Sequence, residues 1–79
     1  PEFFANWVNS VLKLIVIELS IQANVRVMTR SQNVRIEVGV SCKRVKHANL
    51  FLNMVHVYLK RELRLIGGIW DATYHYNSV

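Results

Sequence analysis

The sequence lacks the long apolar run of a membrane-spanning helix and the multiple cysteines of a disulfide-bonded fold. Its single cysteine, Cys42, excludes an internal disulfide framework and any metal site built from cysteines alone. The longest purely aliphatic run, residues 14–17, ends at Glu18, far short of the roughly 18 residues that a membrane-spanning helix needs. We therefore expect no membrane association, and we expect an intracellular protein of the cytoplasm or of an organelle.

The chain also lacks the patterns on which catalysis and metal binding depend. The spacing of His47, His56 and His75 is not that of metal ligands, and the five acidic residues are scattered. Gly67-Gly68 follows a predicted helix, whereas phosphate-binding loops precede helices, so these glycines predict a helix cap. The sequence predicts a protein that is not an enzyme and that needs no cofactor or metal.

The residues that are present suit one small domain. The chain has 79 residues, of which 52% are hydrophobic, enough for a core of its own. We expect a single α+β domain over residues 1–79. The opening Pro1-Glu2-Phe3 has no methionine, which fits a cloning remnant at residues 1–3 and a fragment of a longer protein.

Alternating apolar and polar residues predict a β-hairpin. Its second strand has apolar residues at every even position from Val34 to Cys42. The polar stretch at 29–33 lacks Asn-Gly and Asp-Gly, so we expect a turn longer than two residues. The apolar faces coincide only if paired residue numbers sum to an odd number. A sum of 63 pairs Arg26 with Glu37, and a sum of 61 pairs residue 18 with residue 43; the pattern does not distinguish them.

The start of the first strand has two interpretations. A helical period covers residues 2 to about 15. Either the helix ends there and the strand begins at Ile17, or the helix continues to about Ser20 and the strand begins near Ile21. Alternation from Ile17 onward favours the first interpretation.

The C-terminal half predicts a helix and a third strand. A period of 3.6 runs from Lys46 to Ile66, and alternation resumes from Ile69 to Tyr76. The order helix, strand, strand, helix, strand predicts a two-layer α+β domain. Both helices would cover the apolar face of a three-stranded sheet, and the other face would stay open.

Positive charge is concentrated in the middle of the chain. The net charge is +5, and between Arg26 and Arg64 only Glu37 and Glu62 oppose the basic residues. Such clustering favours an anionic partner and contacts with a phosphate backbone. We expect binding by shape and charge, because the predicted third strand turns its tyrosines toward the core. The candidate nucleic-acid-binding residues are Arg26, Arg30, Arg35, Lys43, Arg44, Lys46, Lys60, Arg61 and Arg64.

Two stretches, VRVMTRSQNVRIEVGVS and YLKRELRLIGGIWDATYHYNS, resemble the ribosome-binding factor A family. With the order of elements, the resemblance covers about residues 5–78. It implies a type II KH-like fold and contact with the RNA of the small ribosomal subunit during its maturation. The family's second helical segment is usually interrupted at Ala-x-Gly, and the corresponding place here, near Leu52-Asn53-Met54, has no glycine.

Two functions are consistent with these features. The first is a small RNA-binding domain, such as a small-subunit ribosome assembly factor that contacts rRNA through its basic surface. The alternative is a protein-interaction or dimerisation module of a larger protein, whose open sheet or edge strand binds an acidic protein surface or a second copy. Clustered charge favours the first, and the fragment-like start favours the second.

Overall fold

A computed structural model describes residues 13–79. Its elements are α1 (Lys13–Glu18), β1 (Gln22–Arg30), β2 (Asn33–Cys42), α2 (Val45–Ile66) and β3 (Ile69–Ser78). The order confirms the predicted α+β class. The part of the predicted first helix before residue 13 lies outside the described residues.

The central strand of the sheet is β2. It pairs antiparallel with β1 on one side and parallel with β3 on the other, which makes a three-stranded mixed sheet. Two parallel neighbours need a crossover from the end of one strand to the start of the next. Here α2 makes that crossover and covers one face of the sheet.

The core lies between α2 and the inner face of β2. Val38 and Val40 of β2 pack with Phe51 and Leu59 of α2, and all four are essentially inaccessible to solvent. The inner residues of β1 are only half-buried. Alternation along β2 and the 3.6 period of α2 therefore placed their apolar faces correctly. The buried residues of the described chain are Ile21, Ile36, Val38, Val40, Cys42, Ala48, Phe51, Val55, Leu59 and Leu63.

A capping motif ends α1 and determines where β1 starts. The N–H of Ile21 donates to the carbonyl of Val16 (2.9 Å), and the N–H of Ser20 donates to that of Ile17 (3.3 Å). With Ser20 at a left-handed φ of 55°, these are the bonds of a Schellman motif. The strand predicted from Ile17 is therefore wrong. The alternative, in which the helix runs toward Ser20 and the strand begins near Ile21, agrees with the structure.

The hairpin confirms one register and corrects the turn. Arg26 pairs with Glu37, so partner numbers sum to 63. Arg30 pairs with Asn33, which leaves a two-residue turn where we expected a longer one. Ser31 takes a left-handed φ of 59°, and a hairpin turn of type II′ needs such a value at its first central position. Because serine rather than glycine holds this conformation, the usual sequence signal is missing.

Gly67 confirms the predicted helix cap at the end of α2. It has a φ of 82° and a ψ of −175°, and its N–H donates to the carbonyl of Leu63. Upstream of this cap, α2 continues without interruption through Leu52, Asn53 and Met54. The type II KH-like detail of the expected fold remains a prediction.

Candidate nucleic-acid interface

All nine candidate basic residues are exposed, but the fold divides them into three groups. The sheet group lies on β1 and β2, the junction group surrounds the connection between β2 and α2, and the helix-end group lies in the last third of α2. A helix rises about 1.5 Å per residue, so Lys46 and Arg64 are about 27 Å apart along α2. The groups are, in the same order, Arg26, Arg30 and Arg35; Lys43, Arg44 and Lys46; and Lys60, Arg61 and Arg64.

Acidic neighbours offset much of the charge of the sheet group. Arg26 lies opposite Glu37 in the antiparallel pair, and Nε of Arg35 is 4.0 Å from a carboxylate oxygen of Asp71. Arg35 and Asp71 are both more than half exposed, so their ion pair stabilises the fold by at most about 1 kcal/mol. Its larger effect is to weaken the positive potential of the open face. The open face therefore carries less net positive charge than its three arginines alone would give, and Arg30, which pairs with Asn33, has no acidic partner in the register.

A structural role explains why the basic residues of the helix-end group lie near the C-terminal end of α2. The carbonyl end of a helix carries a partial negative charge, and nearby cations stabilise it. Arg64 lies in the last turn of α2, and Lys60 and Arg61 precede it by one turn. Glu62 lies among them and offsets one positive charge. No anionic partner is needed to account for these residues.

The junction group has the opposite relation to its helix. The N-terminal end of a helix is partially positive and is stabilised by acidic residues or by a side-chain cap. The first turn of α2 contains no acidic residue, and the capping position is Arg44, whose side chain makes no capping hydrogen bond. The N–H groups of His47 and Ala48 donate to the Arg44 carbonyl at 3.1 and 3.2 Å. Lys43, Arg44 and Lys46 thus add positive charge to an end that is already positive.

A half-open cleft of about 430 Å³ adjoins the junction group. It lies where the end of α1, the start of β1, the end of β2 and the start of α2 meet. Among its lining residues only Glu18 is acidic, and none has an aromatic ring other than the imidazole of His47. Its volume falls in the range of ligand-binding clefts. The lining residues are Glu18, Leu19, Ser20, Gln22, Ser41, Cys42, Lys43, Arg44, His47 and Val79.

Cys42 helps to hold the backbone of this junction in place. Its side chain is buried, and Sγ donates a hydrogen bond to the carbonyl of Arg44 (3.1 Å). Its own carbonyl accepts a hydrogen bond from the hydroxyl of Tyr76, also at 3.1 Å. Cys42 therefore has a structural role, and its burial agrees with its place in the apolar alternation of β2.

An aromatic cluster between α2 and β3 was not apparent from the sequence. Nδ1 of His56 is 2.7 Å from the hydroxyl of Tyr74, and the His56 ring centroid is 6.2 Å from that of Trp70. Burial raises the pKa of the Tyr74 hydroxyl, so Tyr74 keeps its proton at neutral pH. The tautomer of His56 decides which of the two groups donates the hydrogen bond. The sequence predicted that Tyr74 faces the core side of its strand, whereas His56 is exposed on α2. Only the packing of α2 on β3 brings them together.

Residues 13–79 form neither a metal-binding cluster nor a membrane-spanning helix. No group of three or more histidine, cysteine, aspartate or glutamate side chains is placed to hold a metal ion. In the same range, no helix has both the length and the apolar character required to cross a bilayer.

Fold and site together define a small α+β domain with a mixed three-stranded sheet and a basic cleft at the β2–α2 junction. No protein-family model, curated protein or solved structure matches the chain. The resemblance to the ribosome-binding factor A family accordingly remains a prediction from the sequence.

Proposed function

We propose that this domain binds structured RNA through phosphate contacts at the β2–α2 junction. The observation that carries the proposal is the placement of Lys43, Arg44 and Lys46 at the positive end of α2, whose first turn holds no acidic residue. This arrangement is electrostatically unfavourable in the free domain. A phosphate bound there would relieve the repulsion and would interact with both the helix end and the basic side chains.

The composition of the cleft favours recognition of the backbone over recognition of bases. Ser20, Gln22 and Ser41 add neutral hydrogen-bonding groups beside the cations, which suits phosphate and ribose oxygens. Proteins that read single-stranded bases generally stack them on aromatic side chains, and the cleft lining offers no such platform apart from His47. Contacts of this kind recognise the shape of a folded RNA.

The resemblance noted in the sequence suggests the target. It favours RNA of the small ribosomal subunit, and with it a role in assembly of that subunit. This finer assignment rests on the resemblance alone, whereas the proposal of RNA binding rests on the junction group.

Two matched triple variants test the proposal. The junction variant removes the junction charges by Lys43→Gln, Arg44→Gln and Lys46→Gln. The helix-end variant removes the helix-end charges by Lys60→Gln, Arg61→Gln and Arg64→Gln. Each variant lowers the net charge from +5 to +2. Binding of a structured rRNA fragment is followed by fluorescence anisotropy across a series of salt concentrations. We expect the junction variant to bind at least about tenfold more weakly and to lose about two to three units of salt slope, roughly one unit per phosphate contact.

The control variant separates a local site from a general charge effect. We expect the helix-end variant to keep most of the affinity of the unchanged chain. Equal losses in the two variants would mean that net charge alone drives binding, which contradicts a junction site. If the unchanged chain does not bind structured RNA at low salt, the proposed function is wrong.

A further inference from the structure

The outer edge of β3 lacks the features that usually prevent sheet edges from pairing. Among the described residues its strand neighbour is β2 alone. Its ten residues include no proline, lysine or arginine, and Asp71 is its one acidic residue. Its register with β2 continues without a bulge from Ile69 to Ser78. Proline, charged side chains and bulges are the common protections of an exposed edge.

The hydrogen bonds of β3 show which backbone groups face outward. The N–H groups of Ile69 and Val79 donate toward the β2 side, to the carbonyls of Gln32 and Cys42. In a regular parallel strand the direction of these groups alternates from one residue to the next. The even-numbered residues between them therefore direct their N–H and C=O groups away from β2. Those residues are Trp70, Ala72, Tyr74, Tyr76 and Ser78.

We propose that two copies of this chain pair through β3, antiparallel about a twofold axis at Thr73, and form a continuous six-stranded sheet. Hydrogen-bonded pairs must join outward-facing residues, which are the even-numbered ones. With the axis at Thr73, Trp70 lies opposite Tyr76 of the second copy, and Ala72 lies opposite Tyr74 of the second copy. Twofold symmetry makes each pair occur twice.

The cross-strand partner of Asp71 favours this register over its neighbours. With the axis at Thr73, Asp71 lies opposite His75 of the second copy in a non-hydrogen-bonded pair, where side chains are closest. An imidazole N–H can donate to the carboxylate there, and such cross-strand pairs stabilise a sheet. An axis at Ala72 would put Asp71 opposite Thr73, and an axis at Tyr74 would put it opposite Asn77. Neither neighbouring register places an imidazole opposite the carboxylate.

The other edge of the sheet is protected. β1 carries Arg26 and Arg30 on its exposed face. Self-pairing of β1 would bring the arginines of both copies to one surface, where Glu37 offsets Arg26 alone. Repulsion of this kind discourages edge association. Twofold pairing of β3 with β3 closes at a dimer, whereas pairing of β3 with β1 would produce an open-ended chain of copies.

The first test is a disulfide across the proposed axis. In a non-hydrogen-bonded pair the Cα atoms are about 4.5 Å apart, within the range that a disulfide spans. We expect Thr73→Cys to give a covalent dimer under mild oxidation on a non-reducing gel. Asn77→Cys is the matched control on the same face of the same strand, because the register separates the two copies of position 77 by about 26 Å. The unchanged chain, with its buried Cys42, controls for the native thiol.

The second test removes one outward N–H without touching the bonds to β2. Proline is tolerated on an edge strand when its nitrogen faces outward, so Ala72→Pro should stay folded by circular dichroism and become monomeric in sedimentation. Ala72→Ser keeps the N–H and should remain a dimer. An unchanged chain that is monomeric at its highest soluble concentration overturns the proposal, as does equal cross-linking at positions 73 and 77. None of these readouts involves RNA, so they are independent of the proposed function.

Discussion

A Cβ atom built on Gly68 would lie 2.7 Å from the backbone carbonyl oxygen of Gln32. The N–H of Ile69 donates to that same carbonyl at 3.2 Å. The hairpin turn and the start of β3 are thus joined by a close backbone contact. Because Gly68 also has a left-handed φ of 87°, both the contact and the backbone conformation require glycine.

We predict that Gly68→Ala destabilises the domain more than Gly67→Ala does. Both glycines have positive φ, which costs a residue with a Cβ about 1–3 kcal/mol. Only at Gly68 does the added carbon also collide with backbone, whereas nothing lies within 4 Å of a Cβ at Gly67. Urea denaturation should show an extra loss of about 1–2 kcal/mol for Gly68→Ala. Equal losses for the two variants would contradict the close contact.

Ser20→Gly should stabilise the domain by about 0.5–1 kcal/mol. Ser20 occupies the left-handed position of the Schellman motif after α1, where glycine avoids the steric cost of a Cβ. The same change at Ser41, which lies in the extended strand β2, should destabilise by a similar amount, because glycine weakens strand interiors. Thermal and chemical denaturation of both variants measure whether each change raises or lowers the stability of the domain. A loss of stability from Ser20→Gly would argue against the motif.

Two leucines on α2 offer a matched test of the core. Leu59 is fully buried, and Leu65 is 79% exposed. We expect Leu59→Ala to cost about 2–5 kcal/mol through lost burial and the cavity it leaves, and Leu65→Ala to change stability by no more than about 0.5 kcal/mol. Chemical denaturation gives both values. A small effect at Leu59 would mean that α2 does not cover the sheet as described.

The raised pKa values of two tyrosines lead us to predict that the domain loses stability in alkaline solution. Burial raises the pKa of Tyr74. Burial, and then the nearby Glu62, raise that of Tyr58, against a smaller lowering by Arg61. In both cases the folded state holds the phenolic proton more tightly than the unfolded state, whose tyrosine pKa is about 10. Their contribution to stability is therefore complete below about pH 10 and is lost as the pH rises through the higher folded values.

Replacement of both tyrosines tests this dependence. Urea denaturation between about pH 8 and pH 11 should show a steeper decline for the unchanged chain than for Tyr58→Phe/Tyr74→Phe. Tyr74→Phe alone also removes the hydrogen bond to His56, so it should lower stability at neutral pH while reducing the alkaline decline. Identical slopes in all three chains would exclude the two phenols as the cause.

The elements that the sequence predicted best are those with long, regular patterns. β2, α2 and β3 follow from alternation or a 3.6 period, and the same alternation limited the hairpin to odd sums, one of which is observed. The end of α1 and the length of the hairpin turn were not predictable. Both depend on serines, Ser20 and Ser31, in left-handed conformations that serine seldom adopts.

The candidate site was also only partly predictable from the sequence. Exposure of the nine basic residues follows from their charge, since an unpaired cation is costly to bury. Their division into three groups depends on where α2 begins and ends relative to the sheet. The cleft beside Lys43 and Arg44 is built from four separate elements, and no local pattern reveals such a meeting point.

The sequence by itself determined which residues are apolar at which period, and therefore which faces of β2 and α2 are buried, because burial of apolar surface dominates the folding free energy. On β3 the same pattern identified the face whose residues Trp70, Ala72 and Tyr74 are partly buried against the core. Only the tertiary structure decided which charges lie together. The parallel placement of β3 beside β2 requires α2 to run the length of the sheet. That crossover separates the junction group from the helix-end group and places β3 at an edge of the sheet that residues 13–79 form.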